Sequence, residues 1–255
     1  MTEPILRTTG LSKCFGHFDA NSDIDFSVQE GELRAVIGPN GAGKTTFFNV
    51  LSGLVAPTGG DIYFKGSRIT ALAGPRRVER GIAKAFQTAN VYPDETVVQN
   101  CRLAALARVQ GTFRLELFRP STRLAEIDEI AHEALELTDL QTLAHAPAGD
   151  LSHGDKKRLD IAIALATKPQ ILLLDEPVAG MSLDEMRKTD HLIRGLAKRM
   201  TVLLIEHDMD MIMGISDSIT VLHQGKILAE GTPAAVRANA RVQEAYLGGH
   251  AEIET

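Results

Sequence analysis

Two cysteines in 255 residues, Cys14 and Cys101, are too few and too far apart for a disulfide framework, and a reducing compartment is the default. Long apolar runs are missing as well. The longest, residues 161–166 and 171–174, fall far short of the ~20 residues that span a bilayer. Met1-Thr2-Glu3-Pro4 lacks the basic start and apolar block of a secretory leader. Positive charge is outnumbered: 27 Lys and Arg stand against 33 Asp and Glu, a net charge of −6. The basic residues are local and form no stripe, which argues against nucleic acid as a partner. There is no internal repeat, no low-complexity linker and no Cys/His spacing suited to a structural metal. The chain is expected to be soluble and cytosolic, reaching a membrane only through a partner. It is long enough to bury a real core, as one large domain or a domain with a subdomain.

What is present centres on Gly38-Pro39-Asn40-Gly41-Ala42-Gly43-Lys44-Thr45, which fits G-x-x-x-x-G-K-[ST]. The short apolar run 33–37 before it reads as a buried strand. Thr45, Thr46 and the residues to Leu51 read as a helix, with Gly53 placed to stop it. Glycines let backbone N–H groups turn inward around phosphate oxygens, and the helix start adds positive potential. Lys44 supplies a point charge for the terminal phosphates, and the Thr45 hydroxyl is a ligand for Mg²⁺. A nucleotide site is predicted on this stretch alone.

Upstream, Ile24, Phe26 and Val28 alternate with Asp23, Asp25 and Ser27, the pattern of a half-buried strand. Gly59-Gly60 and Gly66 bracket another short strand, so a small antiparallel layer is predicted here. Phe15 falls in this region, either as core or as the ring on which a nucleotide base stacks. Residues 74–86 predict a helix, with Arg76, Arg77 and Arg80 on a solvated face, and then a strand near 82–86. From 96 to 149 strand signals vanish, and Leu124, Ile127, Ala131, Ala134, Leu135 and Thr138 recur at helical spacing, predicting a helical insertion.

Ser152 with Asp155 three positions on has the form of a capping box. Lys156-Lys157-Arg158 then place cations where a helix start disfavours them, which implies either solvated side chains or an anion approaching this end. The apolar strand 170–174 ends in Asp175-Glu176-Pro177. Carboxylates at the end of a buried parallel strand lie where ligands bind in open α/β sheets. Asp175 is suited to hold Mg²⁺ through water and Glu176 to polarise an attacking water, unless the two acids merely end the strand. The buried strand 201–205 leads to His207, read as a γ-phosphate contact in preference to a structural histidine. Met209, Met211 and Met213 are read as core and helix filler. Gln224-Gly225 is a two-residue hairpin signal, and Pro233 starts a terminal helix.

These motifs together resemble an ATP-binding-cassette (ABC) ATPase from Ile5 to about Gly248. The order is the phosphate loop, Gln87, a signature-like Leu151-Ser152-His153-Gly154-Asp155, the strand ending in Asp175-Glu176, and His207. The likeness is nearest to the ATPase subunits of branched-chain amino acid importers. It is carried by Arg80-Gly81-Ile82-Ala83-Lys84-Ala85-Phe86-Gln87, Asp175-Glu176-Pro177-Val178-Ala179-Gly180-Met181, Ile205-Glu206-His207-Asp208-Met209 and Ala245-Tyr246-Leu247-Gly248. Importers of urea and short amides are similar.

The resemblance implies an α/β fold: a P-loop NTPase (RecA-like) core with a small antiparallel β layer and a helical insertion. Residues 1–248 form one ATPase domain, with core at 1–95 and 152–232, helical subdomain at 96–151, a C-terminal helix at 233–248 and a flexible tail at 249–255. It further implies two such subunits, identical or homologous, closing head to tail over ATP and Mg²⁺, with Ser152 and Gly154 serving the partner's ATP. Gln87 senses Mg²⁺ and water and signals to the membrane subunits; Glu176 is the general base; Phe15 stacks on the base. Two permease subunits, and indirectly a periplasmic or extracellular solute-binding protein, are the implied partners, at the cytoplasmic side of the inner membrane. The signature departs from Leu-Ser-Gly-Gly-Gln at His153 and Asp155, and Ser182 stands where the family commonly has Asp, with Asp184 two further on. Export of lipopolysaccharide and a soluble non-transport role are the rival readings.

Overall fold

A computed structural model describes residues 3–86, 89–110 and 121–248. In chain order they form β1 (Leu6–Phe15), β2 (Phe18–Val28), β3 (Leu33–Ile37), α1 (Lys44–Ser52), β4 (Gly59–Phe64), β5 (Ser67–Arg68), α2 (Gly74–Arg80) and β6 (Ile82–Ala85). There follow α3 (Val97–Gln110), α4 (Ser121–Leu137), α5 (His153–Leu165), β7 (Ile171–Asp175), α6 (Leu183–Ala197), β8 (Thr201–Ile205), α7 (Met209–Ile215), β9 (Ser218–His223), β10 (Lys226–Gly231), α8 (Pro233–Arg237) and α9 (Ala240–Gly248). The chain divides into two units, Met1–Gly74 with Ala197–Thr255, and Pro75–Leu196.

The first unit contains the predicted antiparallel layer, in the order β2-β1-β4-β5. Ile24, Phe26 and Val28 are buried and alternate with more exposed polar residues, as the period of two requires. A second set of strands runs β10-β9-β3-β8, with β3 parallel to both β9 and β8 and β10 antiparallel on β9. Side chains on both faces of β3 are buried apart from the half-buried Arg34, which is why its sequence is otherwise a continuous apolar run. Helix α1 is fixed by Phe47, whose ring meets Phe26 edge-on at 5.3 Å and 82°. Burying such a ring contributes about 1.5–3 kcal/mol, and the edge contact about 0.5–1.5 more. The loop between β3 and α1 is thereby held at both ends by buried structure.

The terminal segment is two helices, α8 and α9, which join a core of Ala35, Ile37, Ile212, Val221, Val236 and Val242. Met209 and Met213 pack on this core as filler. In the second unit β6 and β7 pair in parallel, and α3 and α4 fall in the stretch 96–151 that the sequence predicts to be helical, with α5 following it. Arg77, predicted on a solvated face of α2, is instead 1% exposed, and desolvation pulls its pKa down to about 10. It stays charged at neutral pH. Among the described residues no helix is long and apolar enough to cross a membrane, and no group of His, Cys, Asp and Glu is placed to hold a metal by itself.

Candidate functional site

The phosphate loop closes on itself. The Ala42 N–H donates to the Pro39 carbonyl at 3.2 Å, and the Lys44 ammonium folds back to the Gly38 and Pro39 carbonyls at 2.7 and 3.0 Å. Lys44 is only 6% exposed, so its charge is held inside the curve of the loop. Gly38 has φ +152°, and a Cβ there would stand 2.1 Å from the Leu222 carbonyl oxygen, so no larger residue fits. Helix α1 opens with no acid in its first turn and no side-chain cap. Its first N–H groups and its dipole are thus left for an outside anion. Thr45 is exposed and Thr46 partly so.

Two further contacts set the loop from outside. Asn21, buried in β2, donates from Nδ2 to the Gly43 carbonyl at 3.1 Å, while its Oδ1 has no hydrogen-bond partner. At the β9–β10 hairpin, the Gly225 N–H donates to the Ala42 carbonyl at 3.1 Å and the Ser22 N–H to the Gly225 carbonyl at 2.8 Å. Gln224 and Gly225 both have positive φ, 48° and 74°, the two-residue turn that the sequence predicts.

Val36 of β3 is in register with Ile205 of β8, so the residues after each strand emerge at the same sheet edge. His207 therefore stands at the edge where the phosphate loop begins. Its N–H donates to the Glu206 carboxylate at 3.0 Å, and Asp208 caps α7 through the Met211 N–H at 2.9 Å. Phe15, at the β1–β2 turn, is 50% exposed, which removes the core reading. The Lys13 ammonium lies 4.8 Å from its ring centroid.

In the second unit Asp175 ends β7 and is 2% exposed. One carboxylate oxygen pairs with the buried Lys84 ammonium at 2.8 Å, and the other has no hydrogen-bond partner. Glu176 follows with φ +53°, a left-handed backbone that is strained for such a side chain, and its carbonyl accepts from the buried Lys157 ammonium at 2.8 Å. Gln87 lies outside the described residues. Its neighbours are tied down by Asp160 of α5, which accepts from the Phe86 N–H at 2.6 Å and the Asn90 N–H at 3.1 Å. Burial pushes the Asp160 pKa up to about 6, against the pull of those two N–H groups.

Ser152 is the N-cap of α5, accepting from the Asp155 N–H at 3.1 Å. Its hydroxyl also donates to the Glu185 carboxylate at 3.4 Å. Of the three cations of the first turns Lys157 is buried and Lys156 and Arg158 are partly exposed, and all three have acceptors. Lys156 donates to the Gly149 carbonyl at 2.7 Å, Lys157 to Glu176 as above, and Arg158 to the Thr138 carbonyl at 3.1 Å and to Asp155. Each is turned back onto oxygen acceptors of its own unit, which relieves the clash with the helix dipole.

A family profile described as ABC transporter matches residues 21–179. The chain is 41% identical over 256 residues to the high-affinity branched-chain amino acid transport ATP-binding protein BraF of Pseudomonas aeruginosa, covering 97% of this chain and 99% of the relative. The chain belongs to the ABC transporter family. This cassette is also 40% identical to LivG of Escherichia coli K12, a protein of the same description, with 97% and 99% covered. A second profile, described as branched-chain amino acid ATP-binding cassette transporter, matches residues 226–252. Among solved structures, an ATP-binding cassette in its ADP conformation aligns with TM-score 0.84 and 31% identity over 97% of this chain and all of that one. A dimeric cassette in a post-hydrolysis state, bound to ADP and Pi, aligns with TM-score 0.76 and 25% identity over 89% and 98%. The cassette is thus a P-loop ATPase that binds nucleotide, the ATP-binding subunit of an ABC transporter.

Phe15, residues 38–46 and His207 belong to the first unit of the cassette; Asp175, Glu176, Ser152 and Gly154 belong to the second. Sequence reasoning gave no role to Asn21, Lys84, Asp160 or Glu185. Only Asp160 leaves a trace, as an acid inside the apolar run Leu159-Asp160-Ile161-Ala162.

Proposed function

We propose that this cassette energises uptake of branched-chain amino acids, or closely related small solutes, through separate permease subunits. The observation that carries the reading is its agreement along 97% of the chain with branched-chain amino acid transport ATP-binding proteins, reinforced by the terminal match at 226–252. Residues 38–46 take the phosphates, with Lys44 as the fixed positive charge, and Phe15 stacks on the base. Glu176 takes a proton from the attacking water, and His207 holds the γ-phosphate. Ser152 and Gly154 serve the ATP of a second subunit, identical or homologous.

The residues fit Mg²⁺. Thr45 exposes a hydroxyl, and the orphaned Asp175 oxygen is a buried hard donor. When bound, Mg²⁺ neutralises charge that develops on the phosphates. Gln87 completes the set and relays its state through the helical subdomain, 96–151, to two permease subunits. The core comprises 1–95 and 152–232, with 233–248 as the C-terminal helical piece and 249–255 as the tail. The assembly sits at the cytoplasmic face of the inner membrane, and a solute-binding protein outside it selects the cargo.

Glu176→Gln is expected to keep ATP binding and trap a closed dimer, with hydrolysis lowered by at least about 100-fold. Lys44→Ala is expected to lose nucleotide affinity instead. Purification from membranes in detergent should carry a permease, and the complex in vesicles should move leucine on addition of Mg·ATP. Transport of urea or extraction of lipopolysaccharide instead would replace the substrate; ribosomes or DNA in place of a permease would remove the transport role.

A further inference from the structure

We propose that Lys84 of β6 is the resident counter-ion of Asp175, holding one carboxylate oxygen with its buried ammonium at 2.8 Å and so keeping the acid from taking a divalent cation until nucleotide brings one. The inference deepens the reading of Asp175 as a donor to Mg²⁺ and rests on it.

The backbone sets the pair. Lys84 is in register with Leu173 of β7, and Asp175 lies two residues on, so both side chains stand on the same face of the β6–β7 pair. The rest of β6 is apolar, Ile82, Ala83 and Ala85, and β7 runs Ile171-Leu172-Leu173-Leu174 before the acid. In these surroundings the two charged side chains are 5% and 1% exposed. The ammonium also lies 5.7 Å from the Phe86 ring centroid. Among the described residues Lys84 is the only group bonded to the Asp175 carboxylate, whose second oxygen has no partner.

Such a pair is a poor device for stability, since apolar side chains of the same volume hold a fold as well or better. A purely structural pair would also leave no buried oxygen unsatisfied. Its electrostatic effect is plainer. The ammonium cancels the charge of the carboxylate, so a bare divalent cation meets a neutral pair, and at low dielectric a positive charge that close repels it strongly. Nucleotide phosphates supply the missing negative charge. Orientation acts the other way, because Lys84 pins Oδ2 and leaves Oδ1 presented. Freezing one short side chain is a smaller effect than an unscreened neighbouring charge. Removal of the ammonium should therefore tighten metal binding.

The experiment compares wild type, Lys84→Met, Lys84→Arg, Asp175→Asn and the double variant Lys84→Met/Asp175→Asn at mildly alkaline pH. Mn²⁺ is the probe, followed by electron paramagnetic resonance, and melting with and without Mg²⁺ is the second readout. Without nucleotide the Met variant should bind Mn²⁺ at least about tenfold more tightly than wild type. It should also melt several degrees higher with Mg²⁺ than without, a gain that wild type lacks. With ADP present the Met variant should again hold Mn²⁺ at least about tenfold more tightly. Lys84→Arg, which keeps the charge, should behave as wild type, and the double variant should lose the gain. Equal Mn²⁺ affinity in wild type and the Met variant overturns the proposal, as does a gain that survives in the double variant. Weaker binding by the Met variant overturns it too, by making Lys84 a device of orientation alone. Lys84→Gln, uncharged but still a donor, repeats the comparison if the Met variant does not fold; failure of both makes Lys84 structural and ends the proposal. Equal Mn²⁺ affinity of ADP-bound wild type and Asp175→Asn sinks the reading of Asp175 and this inference together; an effect of Asp175→Asn without one of Lys84→Met sinks the inference alone.

Discussion

The Glu185 carboxylate accepts from the Ser152 hydroxyl at 3.4 Å, at the start of a helix that is not its own. In its own helix, α6, it accepts from the Ser182 N–H at 2.9 Å and the Ser182 hydroxyl at 2.7 Å. Ser182-x-x-Glu185 is a capping box, so the serine that departs from the family pattern has a local use. One acid therefore serves two helix starts, and these bonds hold its carboxyl below the usual range.

A charge placed at a helix start competes with any other anion brought there. Glu185→Gln keeps an oxygen acceptor for Ser182 and removes the charge. In a Glu176→Gln background it should lower the ATP concentration that closes the dimer by about two- to fivefold. Sedimentation against Mg·ATP measures this. An unchanged midpoint means that Glu185 does not compete with the partner's nucleotide.

Asn21 offers a test of the opposite kind. Asn21→Ala removes one of the two donors to the Gly43 carbonyl, which keeps the Phe47 N–H, and should cost about 0.5–1.5 kcal/mol of stability. Thermal melting should fall by several degrees, and Mg·ATP affinity should fall with it. A variant as stable as wild type would show that water replaces the amide.

Asp160 gives a pH dependence with a definite sign. Its folded pKa, about 6, stands above the ordinary 3.8 of an aspartate. The folded state binds this proton more tightly, so the group's contribution to stability falls as pH rises between those values and is least favourable above about 6. Function should run the other way. Protonation weakens Asp160 as acceptor for the Phe86 and Asn90 N–H groups, loosening the flanks of Gln87. The rate profile should drop below about pH 6, and Asp160→Asn should flatten that limb at a turnover several-fold lower. If the Asn variant keeps the limb, the titrating group lies elsewhere.

Glu176 carries backbone strain that a different side chain relieves. A left-handed conformation costs an ordinary residue about 1–2 kcal/mol, and asparagine tolerates it best after glycine. Glu176→Asn and Glu176→Gln should be equally slow, yet the Asn variant should be more stable by about 1 kcal/mol, or about 2–4 °C in melting. Identical melting curves would show that the turn relaxes in both.

What could be read from the sequence was local. The phosphate loop, the alternation in β2, the Ser152 cap and the Gln224-Gly225 turn are each written within a dozen residues, because their physics is short-ranged. The supports are not. Asn21 with Gly43, Lys84 with Asp175 and Glu185 with Ser152 join residues far apart in sequence, and neither partner is unusual alone. Lys157 and Arg77 illustrate the same limit: both carry charge at positions that look solvated, and tertiary structure buries them.

The hairpin tip at Gly225, in the last third of the chain, is seated on the first third, its nitrogen on Ala42 and its carbonyl under Ser22. A Cβ there would lie 2.9 Å from the Ala20 oxygen, at φ +74°. For anyone shuffling this cassette with a relative, the inherited block is therefore not contiguous: a chimaera joined anywhere between positions 43 and 224 must draw both flanks from the same parent, or refit them to each other by selection.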